Sequence, residues 1–121
     1  MATLSQQLII TSTTTSSDAL SITTTDSLIV TEPSINVARK SMATGAAATI
    51  LPALSGSFTY VYLKAISGTA STDYLQVKIG GNVVFKLRIG ECTWFPLYNN
   101  LLIEGEAYGN AVIVEYGQWA I

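Results

Sequence analysis

The clearest pattern in this chain is an alternation of apolar and polar side chains between residues 73 and 89, interrupted once by Gly-Gly-Asn. A period of two on both sides of such a break predicts a β-hairpin with one buried face. The apolar positions that would share this face are Leu75, Val77, Ile79, Val83, Phe85, Leu87 and Ile89.

The register of this hairpin follows from the same alternation, since residues directly opposite each other lie on one face. A two-residue loop at Gly80 and Gly81 would place Leu75 opposite Lys86 and mix the two faces. We therefore predict a three-residue loop from Gly80 to Asn82, because a slip of one residue would move a whole apolar set into water. That loop forms the pairs Ile79 with Val83, Val77 with Phe85 and Leu75 with Leu87.

Strand patterns continue on both sides of the hairpin. Residues 58–66 predict a strand with two faces, one with Phe58, Tyr60, Tyr62 and Lys64 and the other with Thr59, Val61, Leu63 and Ala65. Pro96 limits the segment 92–97 to an edge strand or ends it. Two further strands are predicted at 101–108 and 111–116, joined by Gly109-Asn110, and an apolar tail follows at 118–121.

The N-terminal half gives a weaker pattern. Residues 1–32 are rich in Thr and Ser, with apolar triplets at 8–10, 20–22 and 28–30. These triplets predict strand cores and argue against the alternative, a disordered low-complexity arm. Residues 35–39 predict a short strand, whereas residues 42–54 fit either one or two helical turns or a strand of small residues.

Five or six strands after residue 57 and three or four before it, separated by turns, are typical of a β-sandwich or barrel. We predict an all-β fold, a two-sheet antiparallel β-sandwich at residues 33–121, with jelly-roll connections as one arrangement. Residues 1–32 are predicted to form an extended Thr/Ser-rich N-terminal arm or strands, packed partly against another chain.

Composition points to a surface that other subunits cover. Of the 121 residues, 49% are hydrophobic and only 12% are charged, against about a quarter charged in typical globular domains. No apolar run approaches the roughly 20 residues of a membrane-spanning helix, and the N-terminus lacks a signal-peptide pattern. With a net charge of −2 and dispersed basic residues, we expect no membrane and no nucleic-acid partner.

The residue inventory also argues against catalysis. There is no histidine, so the commonest general base and metal ligand is missing. The single cysteine, Cys92, excludes an intramolecular disulfide and a cysteine-based zinc site, and we predict that it is a buried small hydrophobic residue. We expect no catalytic residue, no metal and no cofactor, and hence no enzyme.

Acidic residues offer one candidate site. Glu104 and Glu106 are two apart on a predicted strand, with Glu115 as a residue that would lie across from them, and paired carboxylates are what a glycosidase uses. Alternation instead directs the first two toward solvent, so we interpret them as ordinary exposed carboxylates. Three other acidic residues lie too far apart in sequence for a calcium loop: Asp18, Asp26 and Glu32.

Large aromatic residues offer a second candidate site. They would form either a platform for stacking sugars or, as we prefer, part of the core or a subunit interface: Tyr60, Tyr62, Trp94, Tyr98 and Trp119.

Residues 58–116 resemble small virion proteins of tailed bacteriophages, on the segments FTYVYLKAISGTASTDYLQVKIGGNVVFKL, ECTWFPL and AVIVEYG. The resemblance covers about half of the chain, has no catalytic motif behind it, and brings no functional residue with it. It implies a structural role in the virion, as a capsid decoration (cement) protein or a small neck or tail component.

The expected function is therefore non-enzymatic. The protein would be assembled in the host cytoplasm and located in the virion, where it bridges subunits of the major capsid protein, contacts copies of itself as a homo-oligomer, or does both. Many weak contacts would stabilise the assembled shell by mass action, with the N-terminal arm and residues 118–121 as contact pieces. The alternative is a carbohydrate-binding module for host attachment, which Trp94→Ala or Trp119→Ala would inactivate.

Overall fold

The computed structural model describes residues 2–11, 21–30, 32–53, 58–98 and 101–120. No helix occurs in these ranges, and every pairing between strands is antiparallel. The strands are β1 (Ala2–Thr11), β2 (Ser21–Val30), β3 (Glu32–Met42), β4 (Ala48–Leu51), β5 (Phe58–Ser67), β6 (Tyr74–Ile79), β7 (Asn82–Arg88), β8 (Cys92–Tyr98), β9 (Ile103–Tyr108) and β10 (Val112–Ala120).

Eight of these strands form two four-stranded sheets. The first sheet has the order β3-β10-β5-β8 and the second the order β4-β9-β6-β7. The chain passes from one sheet to the other at every connection except the β6–β7 hairpin. Apolar residues of both sheets pack into one core that includes Leu51, Leu63 and Leu75. The prediction of an all-β, two-sheet antiparallel sandwich is confirmed.

Alternation along β5 shows how the core is built. Val61, Leu63 and Ala65 are buried, whereas Tyr60 and Tyr62 between them point to the outer face of the first sheet. The predicted division of this strand into two faces is thus confirmed. Strand β8, which contains Pro96, lies at the edge of the first sheet, as the missing backbone N–H of proline requires.

The predicted hairpin is present as β6 and β7, but its loop differs from the prediction. The pairs Leu75 with Leu87 and Val77 with Phe85 form as expected. Nearer the turn Ile79 pairs with Asn82, so the loop consists of Gly80 and Gly81 alone, both with positive φ. A β-bulge at Val84 absorbs the extra residue, and this restores the apolar register that a two-residue loop would otherwise break.

Strands β1 and β2 form a separate two-stranded sheet, in register from Ala2 opposite Val30 to Thr11 opposite Ser21. We call it the N-terminal hairpin. The predicted strand cores at 8–10 and 28–30 lie within it, whereas residues 12–20 lie outside the described residues. Among the residues that are described, neither strand pairs with a strand of the sandwich.

Two further predictions were resolved by the fold. The segment 42–54 contains the short strand β4, so the strand alternative is correct and the helical one is wrong. The prediction of an apolar tail at 118–121 is wrong, because β10 continues through Ala120. Strand β10 is held along this length by β3 on one side and β5 on the other, so Gln118 and Trp119 belong to the sheet.

Gln118 is a buried polar residue of the core, and its side-chain amide donates a hydrogen bond of 3.0 Å to Thr59 Oγ1. Replacing Thr59 by valine keeps the shape but leaves the amide N–H buried and unpaired. We expect the free energy of unfolding to fall by about 1–3 kcal/mol.

Chemical denaturation measures this effect. The double variant Thr59→Val with Gln118→Leu removes both partners and is expected to regain most of the loss, because no polar group is then left without its partner. A double variant no more stable than Thr59→Val alone would show that the hydrogen bond is not the cause.

Candidate functional site

The outer face of the first sheet carries a group of aromatic side chains. Tyr60 and Tyr62 come from β5, Trp94 from β8 and Trp119 from β10, and all four are half-buried. Strands β8 and β10 are the two neighbours of β5, so residues far apart in sequence meet over the central strand. We call Tyr60, Trp94 and Trp119 the aromatic ladder.

The rings of the aromatic ladder contact one another directly. Tyr60 and Trp94 are stacked, with centroids 5.3 Å apart and an interplanar angle of 20°. Trp94 and Trp119 lie 5.4 Å apart at 45°. Gly117 makes room for the second indole, since a Cβ at this position would lie 2.7 Å from Trp119 Cη2. Any larger residue at 117 would therefore displace Trp119.

The N-terminal hairpin faces this part of the sheet, and a cleft of about 680 Å³ separates the two. Leu4, Gln6 and Leu8 line the cleft from β1, and Trp94 and Trp119 line it from the sheet. The period of two in β1 places those three residues on one face of the hairpin. The cleft therefore has an aromatic floor and a mixed apolar and amide roof.

Two polar atoms in this region are buried and have no hydrogen-bond partner among the described residues: Gln6 Oε1 and Trp94 Nε1. The other end of the Gln6 amide donates to Asp26 Oδ2, directly opposite on β2, at 3.4 Å. Asp26 Oδ1 accepts a bond of 2.8 Å from the backbone N–H of Ser27. Asp26 also lines the cleft, so donor and acceptor groups converge there.

A polar network borders the cleft at Tyr62. The Tyr62 hydroxyl donates to Glu115 Oε1 at 2.8 Å, and Arg39 Nε donates to Glu115 Oε2 at 3.0 Å. Burial, and next the hydrogen bond to Glu115, raises the pKa of Tyr62 to about 12. The bond from Tyr62, followed by that from Arg39, lowers the pKa of Glu115. The tyrosine therefore stays protonated and the glutamate ionised near neutral pH, and the two hydrogen bonds hold the Glu115 side chain in place.

The carboxylates considered from the sequence do not come together. Glu104 and Glu106 alternate with buried residues of β9 and lie on the outer face of the second sheet, as predicted. Glu115 lies on the first sheet, so the expectation that it faces them is wrong, because β9 and β10 belong to opposite layers of the sandwich. The described residues contain no group of three potential metal ligands. Asp18 lies outside the described residues, as does the side chain of Glu32.

Two predictions about individual side chains need correction. Cys92 was expected to be buried but is exposed, because it starts edge strand β8 on the same outer face as Trp94. The candidate aromatic residues were expected in the core or in a subunit interface; none of them lies in the core, so the core alternative is wrong and the interface alternative stays a prediction. Tyr98, 58% exposed, packs against Phe58 at the far end of the same face.

The sequence contains one signal for this site. Alternation in β1 would have placed Gln6 beside Leu4 and Leu8 on one face, but it does not show which surface that face meets. Only the folded structure brings Gln6 to the same cleft as the indoles of Trp94 and Trp119, which are 88 and 113 residues away in sequence.

Comparisons with protein-family models, with curated proteins and with solved structures gave no significant match. In the described part of the chain there is no helix with the length and apolar character needed to cross a membrane.

Proposed function

We propose that this chain is a non-enzymatic structural protein of a virion, a capsid decoration (cement) protein that bridges subunits of the major capsid protein. The observation that carries the proposal is the N-terminal hairpin, which exposes large apolar side chains on both of its faces. Ile9 and Ile29, 57% and 64% exposed, lie on the face directed away from the sandwich. Leu8, Ile10 and Ile22 lie on the other face and are also exposed.

A hairpin of this kind is not stable alone in water. Two strands without a third, or without a covering layer, are marginal, and both of its edges offer unpaired backbone groups within the described residues. Exposed apolar side chains that cluster on a thin element are typical of surfaces that a partner covers. The hairpin is therefore the proposed contact piece, on a shell subunit or a second copy of this chain.

The sandwich supports the same class of function. From the strand orders β3-β10-β5-β8 and β4-β9-β6-β7 we infer jelly-roll connections, an architecture found among viral capsid proteins. The low charge of the chain also supports this class of function, because 12% charged residues leave few groups to keep a free surface hydrated.

Bridging would act by mass action. A ligand that binds only the assembled shell stabilises the assembled state, and many copies on one particle add their contributions. Each contact can then be weak, as expected for a hairpin of ten-residue strands. The alternative of a small neck or tail component would use the same hairpin on a different partner.

The test compares the wild-type chain with the double variant Ile9→Lys, Ile29→Lys. Shells assembled from the major capsid protein without this chain are incubated with each, sedimented, and heated to measure their disruption temperature. We expect the wild-type chain to co-sediment and to raise that temperature, and the double variant to stay in the supernatant. Lysine on the apolar face would have to be desolvated in the contact, which is costly.

The matched control is Val83→Lys, Val84→Lys, which adds the same charge at exposed apolar positions of β7, outside the N-terminal hairpin. It is expected to bind shells like the wild type. The proposal would be refuted if the wild-type chain remains a monomer and does not bind the shells. It would also be refuted if the Ile9→Lys, Ile29→Lys variant binds the shells as strongly as the wild type.

A further inference from the structure

The cleft between the N-terminal hairpin and the first sheet has the dimensions of a ligand site. Its volume of about 680 Å³ falls within the roughly 300–1,000 Å³ of small-molecule pockets. The floor is formed by the indoles of Trp94 and Trp119, and the roof carries the Gln6 amide and the Asp26 carboxylate. The proposed shell contact of the hairpin uses mainly the opposite face, so it does not account for this cleft.

The floor presents aromatic surface that the fold holds in place. Trp94 is backed by Tyr60, and Trp119 occupies the room that Gly117 leaves. Because both indoles are supported, a ligand would find rigid rings and lose little side-chain freedom on binding. Rings of this kind pair with flat apolar faces, including the C–H face of a pyranose.

The polar atoms of the cleft set the chemistry of the occupant. Gln6 Oε1 is a buried acceptor and Trp94 Nε1 a buried donor, and neither has a hydrogen-bond partner within the described ranges. An apolar side chain from a partner protein would leave both unpaired, which is unfavourable. A hydroxyl group donates and accepts at once, so a ligand rich in hydroxyls matches both atoms, each of which is covered by protein and becomes accessible only when neighbouring side chains shift.

The charges of the cleft exclude anionic occupants. Among the described residues that line it, Asp26 is charged and no lysine or arginine is present. The nearby Arg39 is already paired with Glu115. A phosphate or an acidic sugar would meet the Asp26 carboxylate with no cation among the described residues that line the cleft, whereas a neutral sugar can donate hydroxyl hydrogen bonds to that carboxylate.

We propose that this cleft binds a neutral saccharide, with one pyranose ring on the indoles of Trp94 and Trp119 and hydroxyl groups on Gln6 and Asp26. The site is distinct from the proposed shell contact and does not depend on it. A shell protein with such a site would display carbohydrate-binding surfaces in many copies, so that weak individual binding becomes strong collectively.

Intrinsic fluorescence tests the proposal directly, because the chain has two tryptophans and both line the cleft. The full chain is titrated with maltotetraose, cellotetraose and chitotriose, and separately with sialyllactose and inorganic phosphate as anionic probes. We expect a saturable change with at least one neutral probe, with a dissociation constant on the order of 1 mM or below, and none with phosphate.

The decisive variant is Gln6→Leu, which removes the unpaired acceptor and keeps both fluorescent reporters. It is expected to weaken binding by about tenfold or more. Trp94→Phe, which keeps a ring but removes the N–H group, is expected to act in the same direction. The matched control, Gln76→Leu on β6 of the second sheet, is expected to bind like the wild type.

Three results would overturn the proposal. The first is no saturable change with any of the neutral probes, and the second is equal weakening by Gln6→Leu and Gln76→Leu. The third is fluorescence that changes on dilution of the protein alone and is insensitive to saccharide, since a second copy of the chain would then occupy the cleft. Shell binding by the same preparations is measured separately, so failure of one proposal is distinguishable from failure of the other.

Discussion

Replacement of Leu75 by alanine is expected to lower the free energy of unfolding by about 2–5 kcal/mol. Leu75 is completely buried on β6, between Leu87 of β7 and Ala107 of β9. Truncation removes apolar contacts and leaves a cavity that the surrounding sheets cannot fully close. Because small domains are stable by only about 5–15 kcal/mol, the loss is a large fraction of the total.

Urea denaturation followed by tryptophan fluorescence measures this loss. The matched control is Val84→Ala, a truncation at the exposed bulge of the neighbouring strand β7, which is expected to change stability by no more than about 0.5 kcal/mol. Equal effects of the two variants would mean that the core does not lie between the sheets as described.

Asp73 is expected to be the most sensitive polar position of the sandwich. Its carboxylate is 1% exposed and joins two turns, those before β6 and before β10. The backbone N–H groups of Ala70 and Thr69 donate to Oδ2 at 2.8 and 2.9 Å, and the backbone N–H of Asn110 donates to Oδ1 at 3.2 Å. Gly109 has positive φ, and a Cβ there would collide with Asp73 Oδ1, so the second turn is shaped around this carboxylate.

These donors determine how stability depends on pH. The backbone N–H of Ala70, with smaller effects from Asn110 and Thr69, holds the pKa of Asp73 below its ordinary value, although burial acts in the opposite direction. The folded state therefore favours the ionised form. The stabilisation is fully present above the pKa of the unfolded chain, and it disappears as the pH falls through the lower pKa of the folded state.

Asp73→Asn tests this dependence, because it keeps the size of the side chain and removes the charge. We expect the variant to be clearly less stable than the wild type at pH 7, and the difference between them to shrink as the pH is lowered below about 3.9. Urea midpoints at several pH values measure both. Asn110→Ala is expected to lower the stability less than Asp73→Asn does, since three backbone N–H groups still donate to the Asp73 carboxylate. A difference between Asp73→Asn and the wild type that is constant with pH would show that the charge is unimportant.

Both positions lie in the sandwich, outside the N-terminal hairpin. Variants at Leu75 and Asp73 are therefore expected to reduce shell binding only to the extent that the chain unfolds. Variants at Ile9 and Ile29 are expected to do the opposite, with binding lost and the sandwich intact. This separation of stability from assembly is what the proposed division of roles requires.

The sequence by itself determined most of the strands and the two faces of those that alternate. The alternation around Leu75 and Leu87 was sufficient for the register of a hairpin, and the alternation in 58–66 for the two faces of β5, because a period of two leaves one way to bury an apolar set. It did not determine the two-residue loop, since a bulge at Val84 gives the same apolar pairs at the cost of one unpaired residue.

Only the tertiary structure decided which surfaces meet. Trp94 and Trp119 contact each other because β8 and β10 flank β5, and Gln6 lines the same cleft as the indoles because the N-terminal hairpin lies over that sheet. Glu115 is separated from Glu104 and Glu106 for the same reason, since β9 and β10 lie in opposite layers. Local side-chain patterns fix the direction of each residue relative to its own strand, whereas the neighbours of a strand depend on long-range pairings that no local pattern encodes.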